Sequence, residues 1–159
     1  MYFTDPQTNE RDSRGSVYRY GRDGVLSRVA TGLEYPNGIV ADDKAGRLYV
    51  SETFTRRIVQ FDLSAKGKAS NQRVLHEFAE PSVDGMALDR YGRLWVARLD
   101  HGSVDALSAA GELLASYPMN GGRVTNLAWW EDRLFVTVSG RHSIYRLDVF
   151  TRPAAPAAK

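Results

Sequence analysis

Three stretches of the chain are written to one pattern. "PNGIVADDKAGRLYVSET" runs from Pro36 to Thr53, "VDGMALDRYGRLWVARL" from Val83 to Leu99, and "VTNLAWWEDRLFVTVS" from Val124 to Ser139. Each opens with a small polar residue (Asn37, Asp84, Thr125), runs through a hydrophobic strand, turns, and enters a second strand beginning Arg-Leu. The unit returns after roughly 40 to 47 residues, the length of one β-propeller blade, and each copy reads as strands only. "MYFTDP" at the start reads as a second strand one unit earlier. Third strands recur as "SVYRYG", "RIVQFDL", "SVDALSA" and "SIYRLDV", and fourth strands as "VLSRVAT", "QRVLHEFA" and "ELLASYPM".

These segments are short, rich in Val, Ile, Leu and aromatics, and bounded by turn residues. Asp23-Gly24, Ala45-Gly46, Tyr91-Gly92 and Ala110-Gly111 fall where hairpins need a residue that tolerates positive φ. No segment carries a helical period. The expected fold is all-β: a partial β-propeller of about four four-stranded blades over residues 1–149, followed by a disordered tail over 150–159, where Pro153 and Pro156 interrupt an Ala-rich run. Two blades are complete. The first lacks its innermost strand and the last its outermost, so unpaired edges and open faces call for a cover.

Composition narrows the class. With 43% hydrophobic and 25% charged residues, the chain reads as a soluble globular protein. No apolar run reaches the ~20 residues of a membrane span, and the first residues do not read as a signal peptide. The net charge is +2 with basic residues scattered, which argues against a nucleic-acid track. The chain has no Cys, so thiolate metal sites and disulfides are excluded and a cytoplasmic location is expected.

In a propeller the residue opening each innermost strand points toward the mouth of the central channel. An Asn carbonyl and an Asp carboxylate converging there form a hard-oxygen donor set suited to Ca²⁺ or Mg²⁺, and less well to Zn²⁺ or Mn²⁺. Taken singly, Asn37 before Gly38 and Asp84 before Gly85 are equally good turn residues. Asp42 and Asp89 read as turn caps, Glu52 as a structural hydrogen-bonding group, and Trp95, Trp129 and Trp130 as core and inter-blade packing.

The ordered set "PNGI", "YVSET", "VDGMALD", "RLWVA", "VTNLAWW" and "LFVT" resembles the SMP-30/gluconolactonase/regucalcin family, related to squid-type diisopropyl fluorophosphatase. The resemblance implies a six-bladed-type propeller and a divalent metal, Ca²⁺ first, in the channel. It also implies hydrolysis of lactones or related esters. It places Asn37 and Asp84 as metal ligands and Asp84 as the catalytic residue that activates water while the metal polarises the carbonyl. Thr53, Leu99, His101 and Thr125 are the expected substrate-binding positions; His101 lies on the connection after "RLWVARLD". The family's further ligands, a Glu and an Asn, precede the strand matching "MYFTDP". Ala87 and Ala128 stand where the squid-type enzyme holds a second calcium, so no second ion is expected. The expected partners are a small-molecule lactone or ester and a second copy of the chain, a dimer closing the propeller, with no nucleic acid and no membrane. The alternative is a catalytically incomplete propeller fragment serving as a binding or assembly module, or a shortened form of a longer enzyme.

Overall fold

The computed structural model describes residues 1–7, 13–79, 82–120 and 122–149. They form four antiparallel sheets of three, four, four and three strands. The first holds β1 (Tyr2–Asp5), β2 (Gly15–Tyr20) and β3 (Leu26–Leu33). The second holds β4 (Pro36–Asp42), β5 (Arg47–Glu52), β6 (Arg57–Leu63) and β7 (Ala69–Glu77). The third holds β8 (Val83–Leu88), β9 (Leu94–Arg98), β10 (Ser103–Leu107) and β11 (Leu113–Pro118). The fourth holds β12 (Val124–Trp130), β13 (Arg133–Val138) and β14 (Ser143–Asp148). Among the described residues the remaining element is one 3₁₀ turn, Ser139–Arg141. In every sheet each strand pairs with its neighbour in sequence. The first strands β4, β8 and β12 stand side by side, with β1 against β4. This is the blade arrangement of a β-propeller; among the described residues the first blade has no innermost strand and the last no outermost one, as the repeat led one to expect. The proposed tail lies outside the described residues.

The turn glycines behave as the repeat requires: Gly24, Gly46, Gly92 and Gly111 have φ of 75°, 63°, 77° and 87°. Asp42 caps its turn by accepting from the N–H groups of Lys44 and Ala45, at 3.1 and 3.0 Å. Asp89 accepts from the N–H groups of Tyr91 and Arg93 and also from the Trp95 indole N–H, at 2.8, 3.0 and 3.0 Å.

Period-2 alternation in each strand divides its side chains between two neighbouring sheets. Leu48 and Val50 of β5 join Val17 and Leu33 in a core between the first and second sheets. Tyr49, on the other face, meets Met86, Leu94 and Val96 between the second and third. Trp95 and Ala97 meet Leu134, Val136 and Val138 between the third and fourth. The inner blades are therefore buried on both faces, and their strands read as nearly continuous apolar runs. Among the described residues the end sheets are covered on one face only. Trp130, expected in the core, is 66% exposed. It pairs with Arg133 on the face of the last sheet that looks away from the third, and the alternation that buries Leu134 turns it outward. Trp95 and Trp129 do pack between blades, edge to face at 5.3 Å.

Candidate functional site at the propeller mouth

Antiparallel pairing brings the start of each innermost strand to the same end of the molecule as the turns that follow β5, β9 and β13. Asn37, Asp84 and Thr125 therefore share that end with Thr53, Leu99, His101 and His142. Two glycines set how closely the innermost strands approach. A Cβ on Gly38 would lie 2.5 Å from the Asp84 carbonyl oxygen, and one on Gly85 would lie 2.2 Å from Asn126 Oδ1. Only hydrogen at those positions lets β4 meet β8, and β8 meet β12, at this spacing. The glycine of "NG" and "DG" is thus a requirement of the seam between blades. In the third copy Asn126 occupies that slot, and its Oδ1 accepts from the Leu127 N–H at 2.9 Å.

Hydroxyl groups stitch the same seam. Thr4 donates to the Asn37 carbonyl at 2.7 Å. Ser51, one blade on, donates to the Asp84 carbonyl at 2.6 Å and accepts from the Gly38 N–H at 2.7 Å. Thr4 in "FTD" and Ser51 in "VSE" are repeat-equivalent, a signal present in the sequence that single-residue reading passes over. Thr53 donates to the Val83 carbonyl at 2.9 Å and accepts from the Asn37 side-chain amide at 3.3 Å. Its hydroxyl holds Asn37 rather than facing open space.

The Asn37 side chain also acts on the Asp84 carboxyl, lowering its pKa, so the two residues are neighbours across the seam. The amide nitrogen donates to Thr53, which leaves Oδ1 as the atom Asn37 can offer a cation. Burial pushes the Asp84 carboxyl up from an ordinary 3.8 to about 6, with the negative charge of Asp100 acting the same way. The Asn37 side chain, a hydrogen bond from the Gly85 N–H and the charge of Arg123 oppose that shift without cancelling it. A half-buried carboxylate short of compensating charge suits a cation. The donor set is small, however: no cluster of three or more His, Cys, Asp or Glu side chains exists among the described residues.

The other expected positions are distributed around the mouth. Thr125 hydrogen-bonds the Thr137 hydroxyl at 2.8 Å. Leu99 is half-buried and its N–H donates to the Ser82 carbonyl at 3.2 Å. His101 is exposed, and its Nδ1 lies 2.8 Å from Ser103 Oγ. Asp100, which sequence reading missed, accepts from the Ser82 hydroxyl at 2.7 Å and bears on Asp84 through its charge. Its turn position follows from the repeat; its nearness to Asp84 needs the three-dimensional approach of the β9–β10 turn. No helix among the described residues is long and apolar enough to cross a membrane.

Comparison with known proteins gives a consistent result. The model of the SMP-30/gluconolactonase/LRE-like region matches residues 1–140. Pentonolactonase XacC of Haloferax volcanii is 30% identical over 132 residues, covering 79% of this chain and 45% of that protein. A gluconolactonase from Xanthomonas campestris superposes with a TM-score of 0.75 at 28% identity, over 87% of this chain and 50% of that one. The calcium-binding protein regucalcin of Agrobacterium tumefaciens superposes with a TM-score of 0.71 at 26% identity, over 79% of this chain and 45% of that one. The chain spans about half the length of the relatives it matches.

Proposed function

The chain belongs to the SMP-30/gluconolactonase/LRE-like family, and from that membership we propose that it carries the Asn37–Asp84 part of a lactone-hydrolysing site. The substrate is a small lactone, sugar lactones first. The observation that carries this reading is that Asn37 and the half-buried Asp84 open neighbouring innermost strands and face the same mouth across a glycine-tight seam. A carboxylate bound to a cation is a weak base, and the partly desolvated setting of Asp84 is what favours its taking a proton from water. Water attacks the lactone carbonyl carbon and gives a proton to Asp84. The ring C–O bond breaks, the leaving oxygen gains a proton, and the product is a hydroxy acid.

Asn37 Oδ1 and the Asp84 carboxylate would hold a divalent cation, Ca²⁺ before Mg²⁺, Zn²⁺ or Mn²⁺. Such a cation supplies Lewis-acid polarisation of the carbonyl when bound. Thr53 fixes the Asn37 amide; Leu99, His101 and Thr125 border the substrate. The absence of Cys is in keeping with a cytoplasmic setting. A second copy of the chain, seated on the open faces of the end sheets, supplies the remaining cover, and nucleic acid and membrane have no part.

Lactone hydrolysis followed by acid release, with and without chelator and with Asp84→Ala alongside, tests the reading. The expected result is activity lost to chelator and to the substitution. No activity with any of the four metals overturns it and favours the second reading, a binding or assembly module. What supports that alternative is that the described residues hold no group of three or more His, Cys, Asp or Glu side chains able to hold a metal ion.

A further inference from the structure

Resting on the lactonase reading above, we propose that His101 is a specificity residue. Its Nε2 accepts a hydrogen bond from a ring hydroxyl of a polyhydroxylated lactone, because Ser103 and Asp105 hold the imidazole as its Nδ1–H tautomer.

The argument begins inside the third sheet. Register pairs Ser103 with Arg98 and Asp105 with both Val96 and Ser116. Arg98, Ser103, Asp105 and Ser116 therefore project from one face of that sheet, toward the second. Arg98, Ser103 and Asp105 are 4%, 1% and 1% exposed. Arg98 donates to Asp105 Oδ2 at 2.7 Å, and its guanidinium lies 3.8 Å from the centre of the Phe78 ring. An ion-paired carboxylate only accepts. Ser103 and Ser116 accordingly both donate to Asp105 Oδ1.

Ser103 has a single hydroxyl hydrogen, and Asp105 takes it. What Ser103 offers His101, 2.8 Å away, is a lone pair. Nδ1 must then carry the hydrogen and donate it. A neutral imidazole has one N–H, so Nε2 is left as an acceptor. The buried ion pair thus fixes the polarity of a ring at the surface.

The turn that carries His101 is braced. Asp100 accepts from Ser82 at 2.7 Å. The Gly102 N–H donates to the Arg98 carbonyl at 2.9 Å, and the Gly102 carbonyl accepts from Met119 at 2.7 Å. A Cβ on Gly102 would come within 2.9 Å of Gly122 Cα, so this turn fits closely against the one entering β12. Asp100 lies close enough to raise the Asp84 carboxyl, which puts the turn at the border of the site. A fixed acceptor there discriminates a lactone bearing hydroxyl donors from a bare one.

Two measurements test this. The ¹⁵N shifts of the His101 ring, read where the ring is neutral, should show hydrogen on Nδ1; hydrogen on Nε2 instead overturns the proposal. Ser103→Ala should abolish that preference and Ser103→Thr restore it, with the fold intact by circular dichroism. In turnover, His101→Ala and Ser103→Ala should lower the ratio of kcat/KM for glucono-1,5-lactone over δ-valerolactone by about 3- to 10-fold, the worth of one neutral hydrogen bond. An unchanged ratio in His101→Ala overturns it. If neither lactone is hydrolysed, the lactonase reading fails on its own account, and a titration with 1,5-anhydro-D-glucitol decides the acceptor. Movement of the Nε2 resonance upholds it, and a resonance that stays still at saturation removes it.

Discussion

The Asn37 side chain comes close enough to the Asp84 carboxylate, across the seam between the second and third sheets, to hold its pKa below what burial alone would give. Neither residue reaches the other by its own length alone. Gly38 lets the strands close up, with its Cβ position 2.5 Å from the Asp84 carbonyl oxygen and 2.9 Å from Gly85 Cα. Thr53 then turns the Asn37 amide, and Ser51 ties the two backbones.

Gly38→Ala should therefore damage fold and site together. The added methyl meets backbone, which cannot swing aside, so β4 must retreat from β8 at a cost of about 1–3 kcal/mol. A thermal melt should show the loss, and calcium titration should show weakened binding. Gly92→Ala is the control. Its Cβ meets nothing within 4 Å, so only the strain of positive φ remains, about 1 kcal/mol, and calcium affinity should hold.

Asp84 should give the metal-free protein a pH-dependent stability. Its folded carboxyl, at about 6, lies above the ordinary 3.8. Between those values the folded state keeps a proton that the unfolded chain releases. Stability is then fullest below about pH 4 and declines as pH rises through 6. Discounted for the partial exposure of the group, the decline is about 1 kcal/mol. Denaturant unfolding at pH 5 and pH 8 in chelator should reveal it. Asp84→Asn should remove the difference and raise stability at pH 8; a steeper loss in that variant would contradict the burial assigned to Asp84.

Much of this was legible in the sequence because propeller blades repeat. The three-four-four-three strand pattern, the turn glycines and the convergence of Asn37 with Asp84 all follow from aligning three similar stretches. What the alignment misses depends on contacts between blades. Arg98 and Asp105 sit in "RLWVARL" and "SVDALSA", where alternation gives each a face but not the register that pairs them. The hydroxyl of Thr53 reaches the Val83 carbonyl of the next blade, a bond that the sequence of its own strand does not disclose. Trp130 reads as core, yet it stands on a sheet with no described sheet on its far side.

The Arg98–Asp105 pair should prove costly to break and cheap to replace. Asp105→Ala removes the carboxylate that the buried Arg98 guanidinium meets at 2.7 Å, at a cost of about 3–5 kcal/mol. Replacing both partners, as Arg98→Met with Asp105→Ala, removes the buried charge together with its carboxylate and should recover part of that loss. A double-mutant cycle by denaturant unfolding measures the coupling. Additive single losses would mean that the pair is not coupled as its 2.7 Å contact implies.

The open faces of the end sheets should drive self-association. On the last sheet Trp130 is 66% and Ile144 is 71% exposed, and register puts both on the face opposite Leu134 and Val136. On the first sheet Phe3 and Tyr18 stack at 5.6 Å on the face opposite Val17. Phe3 and Tyr18 stand on adjoining strands, Trp130 and Ile144 on the two strands flanking β13, and exposed apolar side chains of this size favour being covered. They also continue the alternation that, between inner blades, is buried against a neighbour. A second copy presenting its first sheet to the last sheet of its partner would restore that packing. Sedimentation at micromolar concentration should give a mass above one chain, and the double change Trp130→Ser with Ile144→Ser should return it to one chain. A single-chain mass for the unaltered protein would end the proposal that copies of this chain cover one another, while leaving the Asn37–Asp84 contact and its chemistry untouched.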